Sequence, residues 1–335
     1  MNVLLTGGAG YIGSHIAIAL AKNNHVPIIY DNFINSHEKT IKNIEKIIDK
    51  NIICAVGDIR NAELLKEILV KYKIECVIHL AGLKSVSESL DSPIKYFDNN
   101  IYGTISLVNS MQIVGVRNLI FSSSANVYGS PEYLPIDEAH QTNPSNPYGR
   151  TKLFIENFLG DVAFSDSSWK IVCLRYFNPV GAHESGLIGE HPIGIPSNLM
   201  PKLCMCAANL VDEFIIFGND YLTPDGTGIR DFIHVMDLAE GHVMSIDLCE
   251  KLSGLNIINL GSGIGSSVLN VVKTFEKTTG KNINFQIAPR RGGDVSVSYA
   301  SIQKAITLMN WSPKRSLEEI CKSAWRWQLK LSNNL

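Results

Sequence analysis

The first apolar run of the chain leads directly into a turn that is built largely of glycine. After residues 2–6 the sequence reads Gly7-Gly8-Ala9-Gly10-Tyr11-Ile12-Gly13, which satisfies both G-x-G-x-x-G and G-x-x-G-x-x-G. Glycines at this spacing let a strand turn sharply into a helix and let the backbone approach a bound group closely. The N-terminal amides of such a helix attract a pyrophosphate. The turn therefore predicts a parallel α/β fold that binds a dinucleotide.

An acidic residue closes the second apolar run. Asp31 lies 18 residues beyond Gly13, where a carboxylate can accept hydrogen bonds from both hydroxyls of an adenosine ribose. The same charge would repel a 2′-phosphate, and no Arg follows closely. We therefore expect NAD as the cofactor, in preference to NADP.

Strand-length apolar runs alternate with helix-length periodic stretches in the first half of the chain, which is typical of βαβ units. The predicted strands are 2–6, 26–30, 52–56, 76–80, 118–122 and 170–175. The predicted helices are 13–24, 62–72, 93–114 and 148–163. Because parallel strands buried on both faces have near-continuous apolar sequences, the pattern predicts a Rossmann-type, doubly wound parallel sheet.

The character of the sequence changes after about residue 178. Gly, Pro and Asn become frequent, one clear helix is predicted near 196–209, and an amphipathic helix is predicted over 316–331. We expect an NAD-binding domain over 1–178, with a returning segment near 233–260. A smaller C-terminal α/β substrate domain would then cover 179–335.

A second motif combines a serine-rich strand end with a Tyr-x-x-x-Lys sequence. Ser124 ends the run Ser122-Ser123-Ser124, and Tyr148 and Lys152 are four residues apart, which places them on one face of a helix. An isolated pair of this kind is more often part of an exposed amphipathic helix. After a dinucleotide turn, it predicts a catalytic Tyr whose pKa, ordinarily about 10, is lowered by the Lys ammonium and by a positively charged nicotinamide. Ser124 would bridge the substrate hydroxyl and the phenol.

Composition excludes several other classes of protein. The formal net charge is −2 and there is no run of Lys and Arg, so we expect no nucleic-acid partner. No apolar stretch approaches the roughly 20 residues that span a bilayer, and the N-terminus does not resemble a signal peptide. Seven cysteines, an odd number, indicate reduced thiols and a cytoplasmic location. Cys204 and Cys206 lack a second pair at zinc spacing, so no metal site is expected.

Longer segments carry a resemblance to a known family. Four segments resemble the extended short-chain dehydrogenase/reductase superfamily: TGGAGYIGSH, HLAGLKSV, FSSSANVYG and YGRTK. Three further segments resemble one family of that superfamily, the UDP-glucose 4-epimerases: LRYFNPVGAHESG, GNDYLTPDGTGIRDFIHVMDLA and APRRGGD. The resemblance runs from residue 1 to about residue 327. It implies an isomerase that epimerises a UDP-hexose reversibly at C4, with NAD, through a transient 4-keto sugar.

The resemblance also implies which residues bind and react. The catalytic residues would be Ser124, Tyr148 and Lys152. The cofactor would be bound by these three together with Gly7, Gly10, Tyr11, Ile12, Gly13, Asp31, Asn32, Phe33, Ile34, Asn35, Ser36, Asp58, Ile59, Leu80, Ala81, Gly82, Leu83, Lys84, Asn99 and Phe177. The UDP-sugar would be held by Ser124, Asn178, Asn198, Leu199, Phe217, Arg230, Arg291, Asp294 and Ser298. A homodimer is implied as well.

Three positions qualify what the resemblance implies. Asn126 stands where the family usually has Thr, and Phe232 stands where Tyr is common. Ser298, four residues after Asp294, would be the gate beside the sugar's C2 substituent. A residue as small as Ser there would admit N-acetylated UDP-sugars, whereas the neighbouring Tyr299 would exclude them if the register were shifted by one.

Two alternative functions are open on the same fold. A sugar-nucleotide 4,6-dehydratase would need an additional acid–base pair directly after the catalytic Ser, where this chain has Ala125 and Asn126. A catalytically inactive, NAD-sensing regulator would be expected to lose Tyr148 or Lys152, and both are present.

Overall fold

The largest sheet confirms the predicted fold class. Among the residues that the computed structural model describes (1–194, 196 and 198–332), seven parallel strands form this sheet in the order β10-β6-β5-β4-β1-β2-β3. They are β1 (Asn2–Thr6), β2 (Val26–Asp31), β3 (Ile53–Val56), β4 (Cys76–His79), β5 (Asn118–Ser124), β6 (Lys170–Tyr176) and β10 (Gly254–Leu260). All six strand predictions are correct to within two residues at each end, and 2–6 coincides with β1.

Helices cover both faces of this sheet, which is why its central strands are apolar throughout. One face is covered by α1 (Tyr11–Lys22), α2 (Lys39–Ile48) and α9 (Val235–Lys251). The other face is covered by α3 (Ala62–Lys71), α6 (Gly103–Val114) and α7 (Pro147–Ser165). Leu5 points into the first core and Leu4 into the second, and neither is accessible to solvent.

The strand register brings the predicted site residues to one edge of the sheet. Thr6 at the end of β1 pairs with Tyr30 of β2 and with His79 of β4. Ser124 at the end of β5 pairs with Tyr176 of β6. Ligands of open α/β sheets bind outside these carboxyl ends, where the strand order reverses. Here the order reverses between β1 and β4.

Two helical segments differ from the prediction. Helix α2 was missed, because its Lys- and Asn-rich composition obscured the helical spacing of Ile41, Ile44 and Ile48. The single helix predicted over 93–114 is interrupted. It consists of α5 (Pro93–Tyr96), a π-helical turn (Phe97–Tyr102) and α6, preceded by α4 (Val86–Asp91). A π-helical turn widens the helix locally and is common at functional sites.

The remaining elements lie beside the carboxyl edge of the large sheet. A second sheet contains β7 (Asn178–Val180), β9 (Ile229–His234), β11 (Gly265–Ser267) and β13 (Val297–Ser298), and β8 (Phe214–Phe217) pairs in parallel with β12 (Phe285–Ala288). Around them lie α8 (Leu199–Ala207), α10 (Val268–Thr279), α11 (Gln303–Met309) and α12 (Leu317–Ser332). The predicted helices 196–209 and 316–331 correspond to α8 and α12.

The chain returns to the large sheet late in the sequence. After β9 the chain forms α9, which packs against α1, and then β10, which pairs with β6 along its whole length. This is the segment that the sequence placed near 233–260. The division into two domains at residue 178 stays a prediction.

Candidate active site

The glycine-rich turn is packed against its own backbone. Gly7 has a φ of +71°, a left-handed conformation that favours glycine. A Cβ on Gly13 would lie 2.4 Å from the carbonyl oxygen of Gly7, whereas a Cβ on Gly10 would lie 3.2 Å from the same oxygen. Gly10 is the N-cap of α1 and has no side chain to cap the amides that follow, at Tyr11 and Ile12. A side-chain-free cradle at a helix N-terminus fits a pyrophosphate.

Asp31 ties the end of β2 to this turn. Its Oδ2 accepts a hydrogen bond from the backbone N–H of Ala9 at 3.0 Å. Its Oδ1 accepts from the N–H of Phe33 and from the hydroxyl of Ser36, each at 2.9 Å. A carboxylate has about four acceptor positions, so one remains. The expectation that Asp31 accepts both ribose hydroxyls stays a prediction, and it requires one of the three protein donors to give way.

The other residues predicted to bind the cofactor lie in the loops after β2, β3 and β4, at the same edge: Asn32, Phe33, Ile34, Asn35, Ser36, Asp58, Ile59, Leu80, Ala81, Gly82, Leu83 and Lys84. The sequence did not single out Asn100, which fixes one of these loops. Its Oδ1 accepts from the N–H of Leu83 at 2.8 Å and its Nδ2 donates to the carbonyl of Leu83 at 3.0 Å. The predicted Asn99 also donates to Oδ1 of Asn100, at 3.0 Å. Both asparagines lie on the π-helical turn.

Helix α7 begins one residue before Tyr148. Asn146 is its N-cap and accepts the backbone N–H of Gly149 at 2.8 Å. Pro147 follows at the first helical position, where its fixed φ costs nothing and its missing N–H would be unpaired anyway. This start places Tyr148 in the first turn and Lys152 one turn later, on the same face.

Ser124, Tyr148 and Lys152 meet at the end of β5. Ser124 is the last residue of that strand and is buried. The Nζ atom of Lys152 donates to the carbonyl oxygen of Ser122 at 2.5 Å. It lies 4.7 Å from the ring centroid of Phe121 and 5.9 Å from that of Tyr148. The structure thus brings together the three residues that the sequence singled out.

Burial dominates the titration of this group. It raises the pKa of Tyr148, and the hydrogen bond from Ser124 lowers it by a smaller amount. Burial also lowers the pKa of Lys152 to about 8, against a smaller, opposing influence of Glu156. For the protein's own groups, desolvation therefore outweighs the hydrogen bond of Ser124, because burial penalises the charged phenolate. The expected lowering of the Tyr148 pKa by Lys152 together with a nicotinamide stays a prediction.

A second cluster lies in the second sheet and the loops around it. Asp294 is 3.6 Å from the guanidinium of Arg230 and 3.0 Å from that of Arg291. The guanidinium of Arg291 also lies over the ring of Phe217, 4.8 Å from its centroid. Burial lowers the pKa of Arg230, since desolvation of the guanidinium outweighs the nearby charge of Asp294. Two guanidinium groups side by side can bind a diphosphate.

Ser298, the last residue of β13, and Tyr299, the residue after the strand, project in different directions. Ser298 pairs with Arg230 in the parallel ladder, and paired residues project from the same face of a sheet. Tyr299 projects from the opposite face, where a Cβ on Gly265 would lie 3.2 Å from its ring. Ser298, and not Tyr299, therefore shares a face with the arginine of the cluster.

The chain was compared with known proteins. The family model described as GDP-mannose 4,6 dehydratase matches residues 4–324. A UDP-glucose 4-epimerase of Bacillus subtilis (strain 168) is 45% identical over 328 residues, which are 98% of this chain and 97% of that protein. The chain belongs to the UDP-glucose 4-epimerase family.

Solved structures of this family have the same fold. The epimerase from Stenotrophomonas maltophila, crystallised with NAD and formylated UDP-arabinopyranose, has a TM-score of 0.98 and 44% identity, and each chain covers 100% of the other. The UDP-Glc/GlcNAc 4-epimerase from Campylobacter jejuni has a TM-score of 0.85 and 35% identity, covering 98% of this chain and 99% of that one.

The other residues predicted to bind the UDP-sugar lie around β7 and the start of α8. Asn178 is exposed on β7, opposite Phe232 of β9. Asn198 is the N-cap of α8, and Leu199, its first residue, packs against the core that contains Phe232. Phe232, where the family commonly has Tyr, is therefore a core residue. Phe177 is buried in a small cluster beside the site.

Glu190 joins the two predicted binding regions. Its Oε1 accepts from Nδ2 of Asn198 at 2.5 Å and lies 3.3 Å from Nζ of Lys84. A further link is the hydrogen bond from the hydroxyl of Tyr11 to the carbonyl of Gly181 at 2.7 Å. The contacts of Lys84 with Glu190 and of Tyr11 with Gly181 have no local sequence signal, because their partners are 106 and 170 residues apart.

A buried ion pair connects the helix and the strands that carry the predicted catalytic residues. Arg175 of β6 and Glu156 of α7 form two hydrogen bonds, at 3.0 and 2.7 Å, with side chains 4% and 2% exposed. Glu156 also accepts the hydroxyl of Ser123 at 2.5 Å. The pair therefore ties α7 to β5 and β6 one residue from Ser124.

None of the described helices is long and apolar enough to cross a membrane.

Proposed function

We propose that the protein interconverts UDP-galactose and UDP-glucose by epimerisation at C4, with NAD as a bound cofactor and a transient 4-keto sugar. The observation that carries this proposal is the meeting of Ser124, Tyr148 and Lys152 at the carboxyl edge of a sheet whose first turn fits a pyrophosphate. The relatives reported above have the same activity in their names.

Tyr148 is the proton carrier of the reaction. Its phenolate accepts the proton of the sugar 4-hydroxyl and returns it to the 4-oxygen after the 4-keto sugar has presented its other face. Ser124 donates a hydrogen bond to the phenol oxygen and favours the phenolate. The Lys152 ammonium, held by the carbonyl of Ser122, adds positive charge beside the ring.

NAD would be held by the uncapped amides of α1 at its pyrophosphate and by Asp31 at its adenosine ribose. When bound, NAD would supply a hydride acceptor and donor for C4 of the sugar and a positive nicotinamide that favours the Tyr148 phenolate. The chain's residues position the sugar, exclude water and move the proton.

The UDP part of the substrate would lie on the arginine cluster. A diphosphate between Arg230 and Arg291 would replace Asp294 as their partner and compensate the partly buried guanidinium of Arg230. Phe217 already forms a platform for Arg291. Asn178, Asn198 and Leu199 would complete the site.

Ser298 would make the enzyme active on both acetylated and non-acetylated sugars. It shares a face with Arg230, and its short side chain leaves room beside the C2 substituent. We expect similar kcat/KM for UDP-galactose and UDP-GalNAc. Ser298→Tyr should lower kcat/KM for UDP-GalNAc about tenfold or more and leave UDP-galactose nearly unaffected. A wild-type enzyme without turnover of UDP-GalNAc would contradict this assignment.

A cytoplasmic homodimer completes the proposal. Apolar side chains are exposed on α4 to α7, which pack against one another: Leu90, Ile94, Phe97 and Phe154. Ile94 is 85% exposed, and a group of exposed apolar side chains on neighbouring helices is typical of an interface. Light scattering should give the mass of a dimer, and Ile94→Lys should shift it toward the monomer.

The activity is tested by incubating the purified protein with UDP-galactose, without added NAD, and resolving the products by NMR. Formation of UDP-glucose supports epimerisation. A stable 4-keto-6-deoxy product would establish the dehydratase alternative, which the absence of a carboxylate at Ala125 and Asn126 disfavours. Unchanged UDP-galactose in a protein that retains NAD would favour the regulator.

A further inference from the structure

Asn126 stands directly beside the catalytic serine, at a position where the family usually has Thr. We propose that Asn126 is a positioning residue that turns the Ser124 hydroxyl toward the oxygen of Tyr148. The proposal rests on the proposed function, in which Tyr148 is the proton carrier. It concerns a side chain to which the mechanism above gives no role.

Asn126 fills the acceptor positions of Ser124. Its backbone N–H lies 3.2 Å from the Oγ of Ser124, and its side-chain Nδ2 lies 3.1 Å from the same atom. A hydroxyl has one proton to donate and two lone pairs that accept. With two N–H donors on the oxygen, both lone pairs are occupied. The hydroxyl of Ser124 can then act only as a donor, and no acceptor position is left on it for the substrate hydroxyl that it was expected to bridge to the phenol.

The remaining partner of that hydroxyl is Tyr148, whose pKa its hydrogen bond lowers. If Ser124 instead accepted the phenol's proton, the bond would stabilise the neutral phenol and raise the pKa. The direction of a single proton therefore decides whether Ser124 helps or hinders the base. The other titratable groups that face the phenol are Lys152 of α7, 5.9 Å from the ring centroid, and Tyr176 of β6.

The backbone holds Asn126 in place from two sides. It is the middle residue of a 3₁₀ turn, Ala125–Val127, which Ser124 caps. Its carbonyl oxygen lies against Gly149, where a Cβ would approach to 2.8 Å. Gly149 is the neighbour of Tyr148 on α7. The backbone of Asn126 is therefore held between the strand end that carries Ser124 and the helix that carries Tyr148, and its side chain reaches back to Ser124.

Three variants distinguish the effect of the Nδ2 hydrogen-bond donor of Asn126 from the effect of its side-chain volume. Asn126→Ala removes the donor. Asn126→Asp keeps the shape but replaces Nδ2 by an oxygen, which would attract the serine proton away from Tyr148. Asn126→Thr keeps a hydroxyl that can donate, and serves as the conservative control.

The readout is the ionisation of Tyr148 in the NAD-loaded protein, followed by ultraviolet difference absorbance between about pH 6 and 10. Tyr148→Phe identifies which transition belongs to this residue. We expect the midpoint to rise by about one pH unit in Asn126→Ala, further in Asn126→Asp, and little in Asn126→Thr. Below the midpoint, kcat should fall about tenfold for each unit of the rise and recover as the pH is raised.

Unchanged midpoints in Asn126→Ala and Asn126→Asp would overturn the proposal, and so would a loss of kcat that is equal at every pH. Both results would describe a merely structural residue. The spectroscopic titration needs no turnover. If even the wild-type protein fails to convert UDP-galactose, the proposed function fails, while the titration still decides the role of Asn126. Should Asn126→Ala not retain NAD, the isosteric Asn126→Asp decides alone.

Discussion

The glycine-rich turn at the end of β1 is made of backbone, whereas the arginine cluster of the second sheet is made of long side chains. Gly13 could not carry even a methyl group, because a Cβ there would lie 2.4 Å from a carbonyl oxygen. Arg291, in contrast, is 55% exposed, pairs with Asp294 three positions away and lies over the ring of Phe217. Changes in the turn should therefore disturb folding and binding together, whereas changes in the cluster should disturb binding alone.

The largest effect is expected from Tyr148→Phe, in the catalytic group beside the turn. The variant removes the phenol oxygen and keeps the ring, so kcat should fall at least about a hundredfold, as expected for the loss of a general base. The retained NAD should be unchanged. Discontinuous activity assays measure kcat, and extraction of the bound nucleotide measures the NAD content. A variant that keeps more than about a tenth of the wild-type kcat would exclude Tyr148 as the base.

Lys152→Met should also reduce kcat strongly, and its residual activity should depend differently on pH. The wild-type ammonium, with a pKa lowered to about 8, is present below that pH and is lost above it. Without this cation the phenolate is less favoured, so the residual activity should rise toward higher pH. A pH–rate profile of the same shape as that of the wild type would contradict this role.

Gly13→Ala should reduce both stability and NAD content. The added Cβ overlaps backbone that cannot move freely, and we expect a loss of about 2 kcal/mol or more in the free energy of unfolding. Gly10→Ala is the matched control, because its Cβ meets the same oxygen at 3.2 Å. Thermal unfolding of the two variants should rank Gly13→Ala as clearly less stable. Equal Tm values would mean that the turn is less rigid than its backbone geometry indicates.

Arg291→Ala should act on binding only. The loss of a charge-assisted contact to a diphosphate should raise the KM for the UDP-sugar about tenfold or more, with little change in kcat or Tm. Arg290→Ala is the control, since Arg290 is similarly exposed but pairs with Asp220 and lies over Tyr221. A KM that rises equally in both variants would show that the effect comes from general positive charge.

The sequence predicted those parts of the molecule that are encoded locally. The glycine spacing, Asp31 and the pair Tyr148–Lys152 each have their signal within a few residues, and the structure places them on one edge of the sheet. Ser298 was identified by counting from Asp294; the structure pairs it with Arg230, and its role as the gate stays a prediction.

Contacts between distant segments could not be predicted in this way. Glu190 meets Lys84, 106 residues away, and no pattern in a Gly- and Pro-rich stretch marks it. Asn100 gained its role from a π-helical turn that interrupts an otherwise regular helical pattern. The burial that raises the pKa of Tyr148 was missed for a related reason, because it depends on how the whole chain packs.

The fate of the hydrogen at C4 tests the proposed reaction most directly. UDP-glucose labelled with deuterium at C4 would be converted by the purified protein in ordinary water, and the product would be analysed by NMR and mass spectrometry. Because the proposed reaction removes and returns the same C4 hydrogen without exchange with water, the UDP-galactose formed should keep its deuterium at C4. Deuterium lost to water, or moved to C6 with elimination of water, would contradict epimerisation by this route.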